Sequence, residues 1–185
     1  MRNSILLTSL LLALLNSTSC SSNNELLKLT GRKISFESLD TILYPSNYLG
    51  PEDPINGDIK IVTYIYDLTC STCGIKILQK WQELLKDTGR EVSFVVVAHT
   101  EAKDEIRMAL DELEIDYPVY CDPDDGYIKD NRLFVKAIYR SFLLDCNNKV
   151  VLVGEPLNRP ELWKLYKQAI VNMSSNGGIY RKEKN

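Results

Sequence analysis

The alternation of apolar and polar positions divides the chain into strands and helices. Ile59 to Tyr66 (IKIVTYIY) is rich in β-branched and aromatic residues, the pattern of a buried strand. From Cys70 to Asp87 the spacing becomes helical. Ile77, Trp81, Leu84 and Leu85 share one face at i, i+4, i+7 and i+8, and Gly89 ends the segment. Val92 to Ala98 (VSFVVVA) is a second strong strand. Thr100 to Glu114 predicts a helix with Ile106, Ala109, Leu110 and Leu113 inward, and Glu101 and Asp104 in a first turn that favours carboxylates. Tyr117 to Cys121 is a short strand. Asp122 to Tyr139 opens as a turn (DPDDG) and continues as a short helix. Ser141–Asp145 and Lys149–Gly154 flank Cys146-Asn147-Asn148, which predicts an antiparallel hairpin. Asn158 and Pro160 open a last helix with Leu162, Leu165, Tyr166, Ala169 and Ile170 as its stripe. Asn172 to Asn185 is polar, holds Gly177-Gly178, and predicts a frayed tail.

Ahead of these elements, Glu25 to Phe36 predicts a weak helix and a short strand (KISF) broken by Gly31. Ser46 to Asp58, rich in Pro and Gly, predicts a loop. No internal repeat is present. Strands alternating with helices and ending in a hairpin predict an α/β domain: a parallel central part with an antiparallel edge, hence a mixed sheet.

The first residues read as an address. Met1–Ser4 carries one Arg, and Ile5 to Leu15 is an eleven-residue apolar run, too short to span a bilayer but suited to a signal peptide. Ser17-Thr18-Ser19-Cys20 and a polar run follow. Small residues before a Cys resemble the bacterial lipoprotein signal, in which the Cys becomes the lipidated N-terminus; Ser17 stands where Leu is usual. Ordinary secretory cleavage in the same stretch is the alternative. Both place the domain outside the cytoplasm, in the periplasm or at the exterior. The expected organisation is a signal peptide at 1–19, a lipidated Cys20 opening a tether and short extension at 20–58, the main domain at 59–171 and a polar tail at 172–185.

The 185 residues fit one domain, and 44% hydrophobic with 25% charged residues excludes wholesale disorder. The formal net charge is −3, and the sequence has no basic run, so nucleic acid is a poor partner. A single histidine rules out a three-His metal site within one chain and makes His99 the sole base for a serine triad. With Cys20 lipidated, four cysteines remain, and an exported chain can oxidise them.

Cys70-Ser71-Thr72-Cys73 falls where the first core strand gives way to the first long helix. A helix N-terminus carries partial positive charge and unpaired N–H groups, which stabilise a thiolate and lower the pKa of the leading cysteine. Two intervening residues bring the second sulfur within disulfide reach. Cys70 would attack a substrate disulfide and Cys73 would resolve the mixed disulfide. The plain alternatives are an inert disulfide, which stabilises little across so short a loop, and half of a zinc site. The latter lacks a second ligand pair, because Cys121, Cys146 and His99 are isolated in the sequence.

From Lys60 to Ile170 the chain resembles the thioredoxin-fold redoxins, specifically the exported, membrane-tethered TlpA-like branch. The shared features are strand-CSTC-helix, the added helix and strand (KDEIRMALDELEIDYPVYCD) and the hairpin SFLLDCNNKVVLVGEP. The resemblance implies a three-layer fold, with a mixed central sheet flanked by helices and an extra helix–strand insertion. It also implies a disulfide oxidoreductase with no cofactor beyond its dithiol, acting on partner-protein disulfides with electrons from a redox partner. The sequence departs from the family at three places. Thr69 replaces a common Trp, Leu78 a common helix Pro, and Tyr139-Arg140 stand where a substrate-holding cis-Pro is usual. An alternative alignment puts that proline at Tyr117-Pro118.

Other residues have weaker readings. His99 ends the second parallel strand on the edge that carries Cys70. It is either a base or copper ligand, or a loop residue beside a helix start. Asp67 is either a proton carrier for Cys73 or a turn residue. Cys121 and Cys146 fall at opposite ends of the sheet and are spare thiols. Asp122–Gly126 fails the calcium-loop pattern at Tyr127 and Leu133, so it is a turn. The offsets before Cys70 and Cys73 lack the Pro and Thr of a peroxidase-type redoxin. Three functions follow: thiol–disulfide oxidoreductase; a copper-binding module using Cys70, Cys73 and His99, since Cu(I) favours soft thiolates; and a redox-silent binding lipoprotein of the same fold.

Overall fold

The structure is a computed structural model that describes residues 28–39, 42–45, 53–66, 74–88, 92–115, 117–133 and 140–182. Its elements are β1 (Ile42–Tyr44), β2 (Ile59–Ile65), α1 (Gly74–Leu85), β3 (Val92–Ala98), α2 (Lys103–Glu112), β4 (Val119–Cys121), α3 (Gly126–Asp130), β5 (Ser141–Leu144), β6 (Val150–Val153) and α4 (Pro160–Ser174).

Among the described residues, six strands form one sheet in the order β1-β4-β3-β2-β5-β6. β2, β3 and β4 run parallel, while β5 pairs antiparallel with β2 and β6 antiparallel with β5. The chain steps from β2 to β3 to β4 toward one edge. Right-handed crossovers in one direction put both connecting helices, α1 and α2, on the same face. α4 joins them there. Leu78 and Trp81 of α1, Ile106 and Leu110 of α2, and Trp163 and Tyr166 of α4 bury against Ile61, Phe94, Val96 and Leu143. The opposite face, built on Val62, Tyr64, Val95, Val97 and Phe142, is covered by Tyr127 of α3 and by Leu29, Ile34, Phe36 and Leu39. The mixed three-layer sheet and the α2–β4 insertion are therefore as the sequence predicts.

Several local expectations give way. Residues 28–39 do not behave as a tether: Leu29 and Ile34 are fully buried. Asn131 fastens this segment to α3 by accepting from Ser35 N–H (2.7 Å) and donating to Ser35 C=O (2.8 Å). The KISF strand reduces to an isolated bridge between Lys33 and Lys149. β1 has no counterpart among the elements the pattern predicts; it pairs antiparallel with β4. α2 starts at Lys103, so Glu101 lies outside its first turn, where Asp104 and Glu105 sit. Thr100 Oγ1 accepts from Ala102 N–H (3.1 Å), a local turn that delays the helix. In α4 the buried stripe is Trp163, Tyr166, Ala169, Ile170 and Met173, and Leu165 faces solvent. The stretch after Asn172 is not frayed over residues 172–182. Gly178 N–H donates to Met173 C=O, Gly178 C=O accepts from Cys146 N–H, and Asn172 Oδ1 accepts from Arg181 N–H.

Candidate functional site

Cys70, Cys73, Asp67, Tyr139 and Cys20 lie outside the described residues. In sequence, Cys70 and Cys73 fall between Tyr66, which follows β2, and Gly74, the first described residue of α1. The described neighbourhood is the carboxyl edge of β2, β3 and β4, the edge where parallel sheets gather their ligands.

His99 follows β3 and is held on this edge by its own backbone, its N–H donating to Ile65 C=O (2.9 Å). Its ring stacks on Tyr66, with centroids 5.0 Å apart and planes 6° from parallel. Nδ1 lies 2.9 Å from Asp125 Oδ1 and 3.1 Å from Asp122 C=O. A carbonyl oxygen only accepts, so Nδ1 carries the hydrogen and Nε2 keeps its lone pair in the neutral ring. Asp125 also accepts from Tyr64 O–H (2.9 Å). Burial first, then Asp125, raises the Tyr64 pKa above its ordinary value. The acceptor is set by backbone shape. Asp125 adopts a left-handed conformation (φ 56°), which an aspartate tolerates, and its N–H donates to Asp122 C=O. The DPDDG stretch is therefore a turn, and it works as the acceptor platform for His99.

Asp122 is buried and receives Tyr127 N–H on both carboxylate oxygens, at 3.1 and 3.3 Å. Burial raises its pKa, against the lowering effect of the Tyr127 and Gly126 N–H groups. Cys121 is a free, buried thiol directed at Thr100 C=O (3.6 Å). Burial pushes its pKa up, with Lys103 pulling the other way, so it is a poor nucleophile. Cys146 is a free thiol in the β5–β6 turn, at the opposite end of the sheet because β5 runs against β2.

On the β5–β6 side, Tyr64 N–H donates to Arg140 C=O (2.9 Å) and Gly154 N–H to Ser141 C=O (2.8 Å). Thr63 and Ser141 share a buried hydroxyl contact at 3.0 Å. Arg140 leads into β5, the neighbour of β2, whereas Pro118 precedes β4 inside the insertion. The alignment through Tyr117-Pro118 is thereby set aside, and Arg140 marks the β5 entrance. Glu155, just beyond Gly154, is half-buried. Burial raises its pKa, while Arg140, Lys80 and Arg159 lower it. Tyr64, Asp125 and Glu155 were not legible as site residues. Tyr64 sits inside a run that reads as plain buried strand, and its partner is 61 residues away.

No family model matches the chain, and no curated protein matches it. Solved structures do. An uncharacterised conserved protein from Geobacillus kaustophilus aligns over 84% of this chain and 87% of its own, at 16% identity and TM-score 0.55. The C-terminal domain of a protein assigned as a thiol-disulfide oxidoreductase from Bacteroides thetaiotaomicron aligns over 76% of this chain and 97% of its own, at 13% identity and TM-score 0.52. A Cys-to-Ser variant of PrxQ from Xylella fastidiosa aligns over 75% and 95%, at 13% identity and TM-score 0.52. With the sheet order, the parallel β2-α1-β3 unit and the closing hairpin and helix, these likenesses give the chain a thioredoxin-like fold.

Proposed function

We propose that this protein is an exported thiol–disulfide oxidoreductase that reduces disulfides of partner proteins through Cys70 and Cys73. The observation that carries the reading is the C-x-x-C pair falling, in sequence, between the carboxyl end of the central strand β2 and helix α1 of a thioredoxin-like fold. Cys70 attacks as thiolate, forming a mixed disulfide and releasing one substrate thiolate. Cys73 then attacks Cys70, freeing the second substrate thiolate and leaving the Cys70–Cys73 disulfide for a donor dithiol to reduce. Tyr66 and His99 border this edge, and with Nδ1 turned to Asp125 the His99 ring keeps Nε2 as its basic nitrogen there. Asp67 and Tyr139 are proposed accessories. Export and a lipid on Cys20 tether the domain to the envelope membrane; no helix among the described residues is long and apolar enough to cross one.

A trapping assay with a protein disulfide tests the mechanism. Cys73→Ser should accumulate the mixed disulfide and Cys70→Ser should form none. The reverse pattern reverses the roles. If neither variant forms the adduct while the unaltered protein turns over, the mechanism falls.

A further inference from the structure

We propose that the face made by the β6 edge and the outer side of α4 docks on an anionic lipid bilayer. Charge points there first. Between Lys149 and Lys182 the chain carries six cations against two acids, Glu155 and Glu161, although its formal net charge is −3. A groove of about 860 Å³ runs along this face, and no carboxylate is among its described lining residues. Lys164 and Lys167 stand in it one helical turn apart, beside Leu152, Leu165, Val171 and Tyr180. Leu165 is 50% exposed and Val171 66%, on a helix whose other side is buried. Exposed Leu and Val flanked by Lys and Tyr match the interfacial zone: the apolar tips enter the headgroup boundary, the lysine stems lie along it, and the ammonium groups meet lipid phosphates.

The chain's point of entry argues for the same occupant. The described chain begins on the outer edge of β6, where Gly31 N–H donates to Val150 C=O (2.7 Å) and Val150 N–H to Arg32 C=O (2.8 Å). Leu152, two residues along that strand, lines the groove. Cys20 precedes Lys28 by eight residues, a reach of at most about 29 Å. A lipid on Cys20 therefore holds the bilayer within reach of this face. That step rests on the anchor proposed above; the charge and exposure do not. A second copy is the poorer occupant, because a two-fold contact would set these cations against each other. Resting on its β6 side, the sheet keeps its strand ends, and with them His99, clear of the bilayer.

Methyl NMR on the full chain in lipid nanodiscs provides the test. The discs contain one-third phosphatidylglycerol in phosphatidylcholine, with a trace of lipid carrying gadolinium on its headgroup. Leu165 and Val171 methyls should broaden several-fold more than the Met108 methyl, which is as exposed as Val171 but sits on α2. The difference should vanish in phosphatidylcholine alone and in the Lys164→Glu/Lys167→Glu variant while the chain stays on the disc. Equal broadening of Val171 and Met108 in anionic discs overturns the proposal, and so does broadening that survives charge reversal. Mass spectrometry of the N-terminus reports the anchor separately. If no lipid is present, the discs are added to free protein, and Val171 must still broaden with anionic discs alone or the proposal fails. Concentration-dependent shifts of Val171 without discs would assign the face to a second copy and overturn it as well.

Discussion

Asp125 Oδ1 receives two hydrogens, one from the His99 ring at 2.9 Å and one from the Tyr64 hydroxyl at 2.9 Å. The turn after β4 is thereby tied both to the end of β3 and to the carboxyl end of β2. A carboxylate that orients an imidazole through Nδ1 leaves Nε2 as the working nitrogen, a general device for holding a base.

Because the chain has one histidine, this arrangement can be read without assignment. Two-dimensional nitrogen–proton correlation through multiple bonds, at a pH where the ring is neutral, should show a pyrrole-type Nδ1 and a pyridine-type Nε2. The opposite tautomer would contradict the contacts with Asp122 C=O and Asp125. Tyr64→Phe should preserve the tautomer while costing about 1 kcal/mol for the lost hydrogen bond, read from urea unfolding.

Leu29 provides a test of where the domain begins. It is fully buried against the sheet face that also holds Tyr64 and Phe142. Leu29→Ala should destabilise the fold by about 2–5 kcal/mol, the range for a leucine removed from a packed core. A shift within about 0.5 kcal/mol, the level of an exposed site, would mean that residues 28–39 are not part of the packed core.

The long strands were legible because β2 and β3 are rich in β-branched and aromatic residues and lie in the sheet centre, where pattern and tertiary environment agree. Where two readings share residues, the pattern misleads. In α4 the stripes through Leu165 and through Trp163 both contain Tyr166, Ala169 and Ile170, and the bulkier Trp163 takes the buried side. β1 is too short to alternate and exists because β4 offers it a pairing edge. The tail after Asn172 is polar, yet it is fixed by local backbone bonds and by one from Cys146 N–H in the β5–β6 turn to Gly178 C=O, which leave no trace in composition. At the site, the cysteine pair is visible as a motif. The Asp125 platform is not, since it depends on a left-handed residue in a turn that resembles any other acidic turn.

Asp122 makes stability depend on pH in an unusual direction for an aspartate. Its folded-state pKa is raised by burial, so the folded state binds a proton more readily than the unfolded chain. The penalty is absent below the unfolded pKa and is incurred as pH rises through the folded one. Asp122→Asn keeps an oxygen to accept Tyr127 N–H and removes the charge. Relative to the unaltered protein, the variant should therefore be more stable at neutral pH, with the gap closing on acidification below the ordinary aspartate range. Paired urea midpoints at neutral and acidic pH measure this. A gap that widens on acidification would mean that the N–H groups of Gly126 and Tyr127 outweigh desolvation.

Two adjacent glycines separate backbone strain from packing at the α4 terminus. Both have positive φ, 63° at Gly177 and 78° at Gly178, so alanine is strained at either. At Gly177 an added Cβ meets nothing within 4 Å, and the cost should be the backbone term of about 1 kcal/mol. At Gly178 it would stand 2.8 Å from Cys146 Cβ and 3.2 Å from Asp58 Cβ, where the chain closes onto the β5–β6 turn. The same substitution there adds an overpacking cost of about 1–3 kcal/mol. Gly178→Ala should thus lower the urea midpoint clearly more than Gly177→Ala. It should also speed amide exchange at Cys146, whose N–H donates to Gly178 C=O at 3.0 Å. Equal losses in the two variants, with Cys146 protection unchanged, would show that the segment after α4 does not dock on the turn.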